Sequence, residues 1–166
     1  KTSLQSEKNI EQKSMNSTKI DIIDKDSDIY SIENILDDNV KEEILKLIQF
    51  DDDKDRQTHW IKNVNISNII EKISKLIKIK SDFFENMQIV KYSKKNKHNN
   101  FLDAYDINSD KGIKNTKILG QRLISIVGFL SENTIYRFNK LGIDHKAKKN
   151  SILIYSNVYD NHIRND

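Results

Sequence analysis

From Ile66 to Ile77 apolar residues recur every third or fourth position, at Ile66, Ile69, Ile70, Ile73, Leu76 and Ile77, with Glu71, Lys72, Ser74 and Lys75 between them. That spacing lays one apolar stripe along a helix and leaves a polar face opposite. A second helix is predicted earlier. Asp37, Asp38 and Asn39 offer an N-cap, Glu42 and Glu43 set negative charge in the first turn, and Val40, Ile44, Leu47 and Ile48 follow at helical spacing. Elsewhere the period changes. Asp28 to Ile35 reads as a short strand, and Met87 to Tyr92 alternates as strands do. Leu123 to Leu130 and Ser151 to Ser156 are near-continuous apolar strands. Two helices followed by a run of strands predict an α+β fold, with helices on one side of a β-sandwich or barrel.

The pattern also sets the boundaries. Residues 1–27 are polar, rich in Ser, Lys, Asn and Gln, and show no sustained period, so they are expected to form a flexible leader. Residues 28–166 are expected to form one domain. Phe50 ends the first helix, and the loop Asp51-Asp52-Asp53-Lys54-Asp55 follows. Calcium loops space their ligands at alternate positions and include a glycine, so three consecutive carboxylates read better as a solvated turn.

Composition removes several function classes. The chain has 166 residues, of which 28 are Lys or Arg and 25 are Asp or Glu, giving a net charge of +3. Those charges are well mixed, and the arginines suited to bidentate readout are few, so nucleic-acid binding is not favoured. No Cys is present, which excludes disulfides and thiolate metal sites. No apolar run approaches the ~20 residues of a membrane span. Two lysine-rich stretches, Lys91 to Lys97 and Lys146 to Lys149, fit solvated loops; as a patch they would suit a basic interaction module. The absence of Pro beside abundant Lys, Asn and Ile suggests a coding bias that replaces Gly and Pro without changing the fold.

Four segments, in order, resemble the prolyl 4-hydroxylase-like domain of the 2-oxoglutarate/Fe(II)-dependent dioxygenases. Glu85-Asn86-Met87-Gln88-Ile89-Val90-Lys91-Tyr92 matches the strand E-x-L-Q-V-x-x-Y. Phe101-Leu102-Asp103-Ala104-Tyr105-Asp106 fits H-x-D-A-x-D except at its first position. Gly120-Gln121-Arg122-Leu123 matches the G-G-Q-R strand, and Lys148-Lys149-Asn150-Ser151-Ile152-Leu153-Ile154-Tyr155 echoes P-K-K-G-x-x-L-x-F. The resemblance covers about residues 28–160 and implies a double-stranded β-helix (jelly-roll) core flanked by N-terminal helices. It also implies Fe(II), 2-oxoglutarate and ascorbate as cofactors, and a protein or peptide as substrate. In such enzymes two His and one carboxylate hold the iron on one face and leave three positions open. The resemblance places Asp103 as the carboxylate ligand, Tyr92 in the 2-oxoglutarate pocket, and Gln121 and Arg122 as structural motif residues.

The departures fall on the chemistry. Tyr92 precedes position 101 by nine residues (101 − 92), the family's spacing from this tyrosine to the first iron-binding His, and Phe101 stands there. A phenyl ring has no lone pair for a metal. His98 is three residues from Phe101 and fits a surface loop better than a replacement ligand. The family's turn glycines give way to Asn133 and its neighbours, so that turn must be built otherwise. By the resemblance, the distal His, the 2-oxoglutarate-binding Lys and the last strands would lie beyond Asp166; His162 matches the loop before that His better than the ligand itself. A sheet without its last strands would leave an open edge for a partner chain. The reading preferred on these grounds is a non-catalytic relative that binds a protein or peptide. An active hydroxylase within a longer chain and a basic α+β interaction module are the alternatives, and the compartment, secretory lumen or cytoplasm, stays open.

Overall fold

The computed structural model describes residues 19–51, 54–93 and 102–158. Among them the chain is mixed α+β, with antiparallel strands and three α-helices. It falls into two compact units, Lys1–Leu36 with Leu102–Asp166, and Asp37–Phe101.

The first unit opens with β1 (Ile20–Asp24) and β2 (Ile29–Ile32). After the second unit it continues with α3 (Asp110–Leu119), β5 (Ile124–Phe129), β6 (Thr134–Phe138), β7 (Ile143–Ala147) and β8 (Ser151–Ser156). Its main sheet has the order β1-β2-β8-β5, and β6 pairs with β7 in a separate hairpin. The register sets Ser125 opposite Tyr155 and Val127 opposite Leu153, so odd-numbered residues of β5 and β8 share one face. On that face Ile29, Phe129 and Leu153 pack with Ala147, Tyr136, Phe138 and Ile143 from the hairpin, making a two-layered core. Ile152 on the opposite face is only 1% exposed, which explains why β8 reads as an unbroken apolar run.

One expectation changes here. The polar leader drawn over residues 1–27 contains a strand: β1 pairs antiparallel with β2, Ile20 opposite Ile32. The strand reads Ile20-Asp21-Ile22-Ile23-Asp24, its register shifts between Ile22 and Asp24, and Ile20 and Ile22 are exposed while Ile23 packs on the core, so no apolar alternation marks it. The turn that lacks glycines is built with asparagine. Asn133, between β5 and β6, has φ 63°, and Asn150, before β8, has φ 67°. Asn tolerates this left-handed region better than other side chains do. No closed barrel forms among the described residues.

The second unit contains α1 (Asp38–Lys46), β3 (Arg56–Ile61), a 3₁₀ turn at Asn63–Ile66, α2 (Ser67–Ile77), a second 3₁₀ turn at Ser81–Phe83 and β4 (Met87–Tyr92). Asp37 caps α1 as its position predicts, its carboxylate accepting from Val40 N at 2.9 Å. α2 buries Ile69, Ile70 and Ile73 along the predicted stripe. β3 and β4 form an antiparallel hairpin from Arg56/Tyr92 to Ile61/Met87. β3 is invisible to an apolar pattern because its inward residue Gln57 is polar. Gln57 is 8% exposed, and its amide is bonded to the backbone of Asp51, which donates to Oε1 at 2.7 Å and accepts from Nε2.

Candidate functional site

Asp103 lies in the irregular stretch before α3, and two residues preceding β5 fix that stretch. The Gln121 side chain pairs with the backbone of Tyr105 as a strand neighbour would. Tyr105 N donates to Oε1 at 2.8 Å, and Nε2 donates to Tyr105 O at 2.9 Å. Arg122 lays its guanidinium 4.7 Å from the Tyr105 ring centroid and reaches the Asp103 carbonyl at 3.4 Å. Ala104 between them is buried. The structure thus unites Asp103, Gln121 and Arg122, and it gives the Gln-Arg pair a mechanical role as the clamp on the Asp103 loop.

The carboxylate itself turns inward. Its Oδ2 accepts from Ser125 Oγ on β5 at 2.5 Å and from Tyr155 Oη on β8 at 2.9 Å. Tyr155 Oη lies 2.6 Å from Tyr136 Oη on β6. Asn157, 6% exposed, donates from Nδ2 to Ser125 Oγ at 2.9 Å. Around the hydroxyls the rings of Tyr136, Phe138 and Tyr155 stand with centroids 5.2 to 5.8 Å apart. Burial is the main cause that pushes the Tyr155 phenol far above its usual range, and the neighbouring Tyr136 and Asp103 add to it. Tyr155 therefore keeps its proton and serves as a donor.

The other residues singled out from sequence lie elsewhere. Tyr92 ends β4 in the second unit, with the Arg56 guanidinium 5.8 Å from its ring centroid. His59 sits on β3 with its ring 5.1 Å from that of Phe50. His145 sits on β7, its ring centroid 6.4 Å from that of Phe129. Phe101, His98 and His162 lie outside the described residues, as do Asp52 and Asp53 of the acidic loop. Ser125, Tyr136, Tyr155 and Asn157 are the site residues that sequence reasoning missed. Only the echo of P-K-K-G-x-x-L-x-F pointed near them, since it sets Tyr155 where the family carries Phe.

An iron centre demands imidazoles beside the carboxylate. The described contacts of Asp103 are instead alcohol and phenol hydroxyls, an orphan carboxylate satisfied by protein donors. No group of three His, Cys, Asp or Glu side chains poised for a metal occurs among the described residues. The positions at which the resemblance seeks imidazoles, 98, 101 and 162, lie outside the described residues, so only the carboxylate's own contacts bear on the iron that the resemblance implies. No helix among them is long and apolar enough to cross a membrane. No protein-family model matches the chain, and no curated protein matches it.

Proposed function

We propose that this chain is a non-catalytic relative of the prolyl 4-hydroxylase-like dioxygenases, a β-sandwich kept as a binding module for a protein or peptide. One observation carries the reading. The carboxylate in the position of the family's metal ligand is engaged through one oxygen by two hydroxyl donors, Ser125 and Tyr155. Both donors meet Oδ2, so the protein's own hydroxyls orient this carboxylate without calling on a cation.

The fold supports the family part of the proposal. β5 pairs with β8 while β6 pairs with β7, a nesting of strand pairs compatible with half of a double-stranded β-helix. Asn133 and Asn150, where the family pattern calls for glycine, adopt the positive φ that such glycines serve. Gln121 and Arg122 supply a physical reason for a Gln-Arg pair in the G-G-Q-R position, since they hold the loop that carries the acid.

The test is direct. The protein is titrated anaerobically with Fe(II) or Mn(II) and 2-oxoglutarate by calorimetry, then assayed for succinate release with ascorbate and a proline-rich peptide. The expected result is neither saturable metal binding nor succinate above the protein-free control. Stoichiometric metal binding with turnover overturns the proposal in favour of an active hydroxylase.

A further inference from the structure

Distances around Asp103 leave one consistent placement of the protons. A carboxylate only accepts, and each hydroxyl owns one proton. Ser125 Oγ at 2.5 Å and Tyr155 Oη at 2.9 Å must both donate to Asp103 Oδ2. Tyr155 then has nothing left to give Tyr136, so the 2.6 Å contact between them takes its proton from Tyr136. Ser125 likewise cannot donate to Asn157 Oδ1 at 3.2 Å, and the link is made by Asn157 Nδ2 at 2.9 Å. Every proton points toward the acid.

We infer that Asp103 is the receiving end of a metal-independent clasp. Two arms converge on one oxygen, Tyr136 to Tyr155 to Asp103, and Asn157 to Ser125 to Asp103. The first arm begins on the β6–β7 hairpin and passes through β8 of the main sheet, so it ties the Asp103 loop to both layers of the unit. The second arm crosses between the end of β8 and β5. Hydrogen bonds to a charged acceptor are about twice as strong as neutral ones, and chained donors polarise one another. The rings of Tyr136, Phe138 and Tyr155, which carry two of these hydroxyls, pack against one another. The clasp does mechanically what a bound cation does in a metal site: it satisfies a half-buried acid and fixes its loop. It stands on distances within the first unit, whichever family the chain belongs to, so its failure and the appearance of turnover are separate outcomes.

A double-mutant cycle on the full chain tests it, with stability read by denaturant unfolding. Asp103→Ala and Tyr155→Phe should each lower the folding equilibrium constant about tenfold or more. The double variant should lose clearly less than the product of the two, because both changes break the same bond. Losses that multiply overturn the clasp. Wild-type stability should be equal in chelator and in Mn(II), and a rise with Mn(II) also overturns it. Should a variant fail to fold, the wild type decides by proton NMR. Two slowly exchanging tyrosine hydroxyl resonances are expected, one of which disappears in Tyr136→Phe; exchange of both at the rate of exposed phenols rejects the proposal.

Discussion

The two units fill their interiors with different chemistry. In the unit Asp37–Phe101 the buried positions are aliphatic, Val40, Ile44, Ile61, Ile66, Ile69, Ile70 and Ile73, and Gln57 is the one buried polar residue described there. In the other unit an apolar cluster of Ile29, Phe129 and Leu153 shares the interior with Ser125, Tyr136, Tyr155, Asn157 and the acid they surround. Aliphatic burial is non-directional and tolerates approximate shape. A hydrogen-bonded interior is directional, and each missing partner exposes the desolvation cost of the one left behind. The second kind is the device of a site, whether or not the site still works.

The largest expected effects are common to both units and set the baseline for the comparison. Leu153→Ala removes a side chain that is 0% exposed, and Ile69→Ala one that is 2% exposed. Each should cost about 2–5 kcal/mol by denaturant unfolding, from lost transfer energy and the cavity left behind. A loss for Ile69→Ala no larger than that of a surface change would show that the α2 stripe is not a core.

The polar changes then separate the units. Ser125→Ala deletes a donor to Asp103 and the acceptor of Asn157, and should cost about 1–3 kcal/mol, since Asn157 stays buried without that partner. Gln57→Ala in the second unit should cost about 1 kcal/mol, because it strands only the Asp51 backbone groups, and Asp51 is exposed. The difference collapses if Ser125→Ala proves as mild as Gln57→Ala. Measured side by side, the two substitutions report whether a polar interior is a network or a set of separate bonds.

Legibility in the sequence follows the same division. α2 and β8 were readable because aliphatic residues keep time with their period, and α1 because Asp37 marks its start. β3 was not, because Gln57 occupies an inward position and looks like surface. β6 and β7 were not, because their inward residues Tyr136, Phe138, Ile143 and His145 mix polar and apolar types. α3 carries Gly112 in its first turn and little apolar periodicity; its start is visible only in the Ser109 cap, whose Oγ accepts from Gly112 N at 3.0 Å. Of the cluster around Asp103, the sequence singled out Asp103, Gln121 and Arg122 through motif order. Ser125, Tyr136, Tyr155 and Asn157 were not, because Ser, Tyr and Asn are common on surfaces and only tertiary pairing turns them into partners of an acid.

A smaller effect is expected at the cap of α1. Asp37 accepts from Val40 N at 2.9 Å, and Asp37→Ala should cost about 1 kcal/mol, recovered in large part by Asp37→Ser. Equal loss in both variants would mean that charge near the dipole, rather than the cap bond, supplies the stability.

The smallest effect concerns pH and is confined to the first unit. His145 on β7 keeps a buried Nε2 with no hydrogen-bond partner. Burial pushes its pKa below the usual value, outweighing the nearby Asp21 carboxylate, which pulls the other way. An unfolded chain therefore binds a proton at this position before the folded chain does. The stability tied to neutral His145 is whole above the unfolded pKa of about 6.5 and is lost as pH falls from there through the folded value. Asp21 and Asp144 carry lowered pKa values from their partners Lys19 and Arg137, so their contributions also fade on acidification, but at lower pH. His145→Gln keeps a polar side chain and removes the titration. Unfolding midpoints taken from about pH 7.5 to about pH 5 should fall more steeply for the wild type than for His145→Gln, with the gap opening below about pH 6.5. Parallel curves would place the imidazole in water and remove it from the interior of the β6–β7 layer.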